Sequence, residues 1–182
     1  MMAERPHQSR QLVEGYLSAL AGVRIGKRLE LEALENDDLR RVFGRCDFFL
    51  LRYPRYPVEV VPVPPLRVNN LLIACDEQVS RVSDEVELRD CFLQRVPVAT
   101  DEGAMAACVR SWLLLAQELQ QDGFLSFGSP SVTITESTAE GFVDVTRDSG
   151  EGRLSVVMEF SGRRLVNIAP GGEVHAGPRR LK

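Results

Sequence analysis

The chain has 182 residues, 44% of them hydrophobic and 26% charged, with a formal net charge of −4. That balance fits a soluble single domain, residues 1–182, with flexible ends at about 1–8 and 170–182 and enough length to bury a sizeable core. The mild acidity argues against non-specific nucleic-acid binding, which needs basic surface to displace counterions, and no apolar run approaches the roughly 18 residues of a membrane span.

The polar start, Met1–Ser9, reads as frayed. Gln8–Ala21 places Leu12, Val13, Tyr16, Leu17 and Leu20 on one helical face, with Ser9 as N-cap and Gly22 as the stop. Arg28–Glu32 alternates charge and leucine, which is a strand period. Asn36-Asp37-Asp38 offers the start of a short helix carrying Leu39, Val42 and Phe43, ended by Gly44. Cys46–Tyr53 reads as a buried strand, broken by the repeated Arg-Tyr-Pro of Arg52–Pro57 because proline cannot donate to a ladder. Val58–Val63 is confined by its prolines to a sheet edge or a connection, and Val68–Cys75 is a further apolar strand. Asp84–Gln94 fits a helix capped by Ser83.

Thr100–Gln121 is the clearest helix. Thr100 serves as cap, Asp101 and Glu102 occupy the first turn, and Met105, Val109, Trp112, Leu113, Ala116 and Leu119 repeat at three- and four-residue steps. Four strands follow at Val132–Thr135, Phe142–Arg147, Arg153–Phe160 and Arg163–Ala169. A two-residue Ser161-Gly162 loop would set Phe160 opposite Arg163, Met158 opposite Leu165 and Val156 opposite Asn167. Val157, Val166 and Ile168 then share the outer face with Ser155, Glu159 and Arg164, which calls for cover by another element or by a second subunit, while Asn167 falls on the more apolar inner face. Pro170–Lys182 reads as a tail.

The expected architecture is α+β: an antiparallel sheet ending in a C-terminal four-stranded meander, packed against the long amphipathic helix and the N-terminal helix. The strands around Cys46–Tyr53 and Val68–Cys75 extend that sheet or make a second layer.

Chemistry-bearing residues are sparse. The two histidines, His7 and His175, lie in the polar start and the tail, so neither a metal site nor a histidine-based triad is expected. Cys46, Cys75, Cys91 and Cys108 form no CxxC pair and each adjoins an apolar run, as free thiols acting as small buried hydrophobes do; a reduced, cytoplasmic setting follows. Glycines form no phosphate cradle. The carboxylates Glu85, Glu87 and Asp90 are close in sequence, which suits capping and solvation better than acid–base work.

The candidate ligand-binding residues are Arg52, Tyr53, Arg55 and Tyr56, a proline-stiffened run able to hold an anion or stack on a planar group, and Trp112 with Asn167, placed to line a pocket under the long helix together with Tyr16. The expected function is a non-catalytic binding or interaction protein, an adaptor or accessory protein that self-associates as a homo-oligomer or meets a protein partner. No cofactor, metal, nucleic acid or membrane is expected. The helix-plus-sheet plan also resembles, in architecture alone, the cone-shaped NTF2-like domains. That resemblance implies the alternative: a small-molecule-binding domain or enzyme with a pocket between helix and curved sheet.

Overall fold

A computed structural model of the chain describes residues 4–19, 30–52, 71–119, 126–147 and 150–173. The elements run α1 (Glu4–Ser18), β1 (Glu30–Leu34), α2 (Asp37–Val42), β2 (Cys46–Arg52), β3 (Leu71–Cys75), β4 (Gln78–Val82), α3 (Glu85–Arg95), α4 (Glu102–Glu118), β5 (Ser126–Phe127), β6 (Ser131–Ile134), β7 (Thr138–Arg147), β8 (Gly150–Ser161) and β9 (Arg164–Glu173). The class is α+β, and the C-terminal meander β6–β9 is present. Among the described residues the strands divide into two antiparallel sheets. One has the order β1-β2-β3-β4; the other has the order β5-β7-β8-β9, with β6 also paired to β7.

Burial explains why two sheets form. In β3 the run Leu71–Cys75 is buried at every position, so both faces of the first sheet are covered and no alternating pattern survives in its sequence. One face packs Phe48, Leu50, Leu71 and Ile73 into a core with α2, α3, α4 and the inner face of the second sheet. The other packs Phe49, Leu51, Leu72 and Ala74 against Val13 and Leu17 of α1. The N-terminal helix therefore covers the first sheet, not the meander. Helices α2–α4 form a layer between the sheets, crossed by a file of edge-to-face rings. Phe48 meets Phe43 at 5.3 Å, Phe43 meets Phe92 at 4.9 Å, and Phe92 meets Trp112 at 5.2 Å. Each such pair is worth about 0.5–1.5 kcal/mol beyond the area it buries.

The helix starts are set by short polar side chains. Asn36 Oδ1 accepts from the N–H groups of Asp38 and Leu39, Asp84 from Glu87, and Asp101 from Ala104. Thus Asp84 and Asp101 are the caps, each one residue beyond the Ser83 and Thr100 expected from sequence. A carboxylate does the same work as a hydroxyl there and adds favourable charge at the helix end.

The strand Gln78–Val82 has no counterpart in the sequence reading. It follows a tight turn in which Asp76 and Glu77 both take positive φ, 50° and 65°. Two consecutive left-handed residues define the hairpin turn whose twist suits antiparallel strands. Aspartate and glutamate do not advertise it as Asn-Gly would.

The last hairpin departs from its expected register for a similar reason. Its loop is Gly162-Arg163, with φ of 56° and 63°, one residue later than expected. Phe160 therefore pairs with Leu165, and Ser161 with Arg164. A bulge at Val166 then shifts the ladder again, so Met158 faces Ile168 and Glu159 faces Asn167. A one-residue slip sends a side chain to the opposite face. Ile168 is buried on the inner face, and Asn167 is exposed on the outer one. Of the three apolar residues expected outside, Val157 and Val166 remain, 37% and 49% exposed. At the two ends of the described chain, α1 begins at Glu4 and β9 continues through Pro170 to Glu173.

Candidate functional site

Among the described residues, the expected site residues Arg52, Trp112 and Asn167 are not brought together. Arg52 ends β2 opposite Glu30, and Tyr53, Arg55 and Tyr56 lie outside the described residues. Trp112 is 1% exposed, closed in by Phe92 and the core. Asn167 lies on the far side of the second sheet, and Tyr16 packs with the separate cluster under α1. These three share no pocket.

Among the described residues, two concavities border β2. The larger has a volume of about 460 Å³ and lies where β1 turns through Asn36 into α2 and returns along β2. Its floor is Leu34, Leu39, Phe43 and Phe48; its rim carries Glu35, Arg40 and Asp47. It is shallow, since Leu39, Phe43 and Phe48 are each only 3% exposed. The smaller, about 310 Å³, is bounded by Ser9 and Leu12 of α1 and by Arg45, Asp47, Asp76 and Glu77. Asp47 borders both, and the Ser9 hydroxyl donates to its Oδ2.

Between the concavities stands a group that the sequence did not single out. Cys46 and Cys75 occupy directly opposed positions where β2 begins and β3 ends. Their sulfurs are 2.7 Å apart. Cys46 lines the larger concavity and Cys75 the smaller. The next residues outward, Arg45 and Asp76, form an ion pair in which Arg45 Nη2 lies 2.8 Å from both carboxylate oxygens. From the last turn of α3, Arg95 approaches the sulfurs of Cys75 and Cys91. The signal in the sequence was positional: Cys46 opens one apolar run and Cys75 closes another, and antiparallel pairing of two such runs brings opposite ends together.

The electrostatics leave Cys46, Cys91 and Cys108 protonated at neutral pH. Burial, then the hydrogen bond with Cys75, pushes Cys46 up to about 12. Burial raises Cys91 to about 11 against the opposing pull of Arg95, and Cys108 to about 12. A thiol is a nucleophile only as its thiolate, so at neutral pH each of these three reacts only through a small ionised fraction. Burial, assisted by Asp84, raises Glu85 above the ordinary carboxylate range, but Glu85 opens α3 and borders neither concavity. Glu87 accepts from the Ser83 N–H, closing the start of the same helix. Arg110 holds Asp38 through two 3.0 Å hydrogen bonds, tying α4 to α2 behind the larger concavity.

Among the described residues no group of three or more histidine, cysteine or carboxylate side chains is placed to hold a metal ion. No helix among them is long and apolar enough to cross a membrane. Comparison with protein-family models, with curated proteins and with solved structures finds no match.

Proposed function

We propose that the chain is a non-catalytic interaction protein that receives an apolar side chain of a protein partner in the concavity between β1, α2 and β2. The observation that carries this reading is the shape and chemistry of that depression. An apolar floor of Leu34, Leu39, Phe43 and Phe48 inside a charged rim of Glu35, Arg40 and Asp47 has the anatomy of an interface anchor. Its shallowness suits a residue presented by a larger surface, whereas a free small molecule needs most of its own surface enclosed. The cytoplasmic setting is part of the same proposal and rests on the four free cysteines.

The test is selection of peptides from a random display library on the folded protein, followed by titration into the isotopically labelled chain. Binding through this site shifts the amide resonances of Leu34, Asn36, Gly44 and Phe48, and Leu34→Arg weakens it at least tenfold. Peptides that bind wild type and Leu34→Arg equally, or that shift only distant resonances, overturn the reading.

The volume of about 460 Å³ favours a second reading, a small-molecule site, because it falls within the usual range for ligand pockets. Thermal stabilisation by a compound that competes with the selected peptides would establish it. Self-association is a further part of the proposal. It draws on Val157 and Val166 of the outer sheet face, with Ile168 no longer available, and sedimentation equilibrium of wild type against Val157→Arg tests it.

A further inference from the structure

The opposed cysteines carry an inference independent of that function. We propose that Cys46 and Cys75 form a modification site at which a small-molecule disulfide converts the two thiols into a cross-strand disulfide. Directly opposed residues of an antiparallel pair have Cα atoms about 4.5–5.5 Å apart, inside the span a disulfide bridges, so the strands need not move. The sulfurs already face each other at 2.7 Å. Access comes through Cys46, which is half-buried beside the larger concavity, whereas Cys75 is buried and is reached only by the neighbouring sulfur. Cys91 belongs to α3 and Cys108 to the interior of α4, where its side chain is fully enclosed.

The exchange runs in two steps. Cys46 loses its proton to solvent, and its sulfur attacks one sulfur of the small disulfide. The S–S bond breaks, a mixed disulfide forms on Cys46, and the departing thiolate takes up a proton. Cys75 then loses its proton and attacks Cys46 Sγ, expelling the second small thiolate, which is also protonated. Two protein thiols are oxidised to one disulfide while one small disulfide is reduced to two thiols, and no other reactant is needed. The rim of the larger concavity, where Cys46 is reached, sets Glu35 and Asp47 against Arg40. That acidic balance favours a neutral oxidant over an anionic one.

The experiment incubates the folded full-length chain with bis(2-hydroxyethyl) disulfide, blocks remaining thiols with iodoacetamide, and maps peptides without reduction. The expected result is loss of two of the four free thiols and a single cross-linked peptide joining Cys46 to Cys75. Cys91→Ala keeps that link. Cys46→Ser and Cys75→Ser abolish it and leave at most one mixed disulfide, on the remaining partner. Four free thiols at the end of the incubation, a link that includes Cys91, or a link that appears only in denaturant each overturn the proposal. Should a serine variant fail to fold, the peptide map of wild type and Cys91→Ala still decides.

Discussion

At Gly141 the second sheet packs tightly against α4, and replacing this glycine with alanine tests that packing directly. A methyl group built there lies 2.6 Å from Val109 Cγ1 and 2.8 Å from the Ser131 carbonyl oxygen. Carbon atoms pack best at about 3.5–4.0 Å, so β7 must withdraw from α4 and from β6 by roughly 1 Å. Overpacking of this kind costs about 1–3 kcal/mol, and the preference of a strand for alanine over glycine returns about 0.5–1 kcal/mol. The net expectation for Gly141→Ala is a loss of about 1–2 kcal/mol, read as a fall in Tm of roughly 2–8 °C for a chain of this size. Val109→Ala alone removes two buried methyl groups and costs at least about 1.6 kcal/mol. In the double variant the new methyl occupies part of the space that Val109 vacates, so the two losses sum to less than their separate values by about 1 kcal/mol. The Ser131 oxygen remains in place, so recovery is incomplete. The assay is urea unfolding followed by the fluorescence of Trp112, which sits in the same core. Additive losses, or a Gly141→Ala variant as stable as wild type, would refute the close approach of β7 to α4.

Ser111 is fully buried and its hydroxyl has no hydrogen-bond partner, so Ser111→Ala is expected to be neutral or stabilising by up to about 1 kcal/mol in the same unfolding assay. Glu77 holds a left-handed backbone at a cost of about 1 kcal/mol, and Glu77→Gly should recover part of it as a higher urea midpoint. Oxidation of Cys46 and Cys75, 29 residues apart, should raise stability by up to about 3.6 kcal/mol on the loop-entropy model, measured as the difference between oxidised and reduced unfolding midpoints. Stability should also fall with pH above the ordinary thiol value of 9.0, because unfolded thiols ionise there while Cys46 and Cys108 stay protonated up to about 12. The unfolded state then binds fewer protons than the native one, which gives the negative slope, and Cys108→Ala should flatten it in a series of unfolding curves from pH 8 to 11. The groups near Cys46 are Cys75, Cys91 and Arg95, and for Cys108 burial alone sets the shift.

Local signals were legible where one residue type decides the outcome. The long helix was readable from its stripe through Trp112, and the meander from turn residues such as Gly162. What the sequence hid depended on partners. Nothing in Leu71–Cys75 says which face meets α1 and which meets α2 and α3, because a run buried on both sides has no period. The bulge at Val166 left no composition signal, yet it exchanged the exposures expected for Asn167 and Ile168. The thiol pair was hidden for the same reason. Arg52–Pro57 drew attention by its unusual repeat, whereas Cys46 and Cys75 become a pair only once β2 and β3 are paired in register.

That register also links the modification site to the proposed docking surface. Cys46 is followed directly by Asp47, on the rim, and then by Phe48, on the floor of the larger concavity. Cys75 precedes the strained Asp76-Glu77 turn that borders the smaller one. In the reduced protein this end of the sheet is held across the strands by the Arg45–Asp76 ion pair, whose side chains are 79% and 59% exposed. An ion pair that exposed is screened by solvent and contributes little. The strand ends that frame both concavities are thus weakly tied, and a covalent bond at Cys46–Cys75 would dominate the local energetics. Oxidation should therefore slow amide exchange at Asp47, Ala74 and Gln78 far more than Arg45→Ala speeds it. Equal and opposite effects would mean that the ion pair, not the thiol pair, governs the stiffness of this edge.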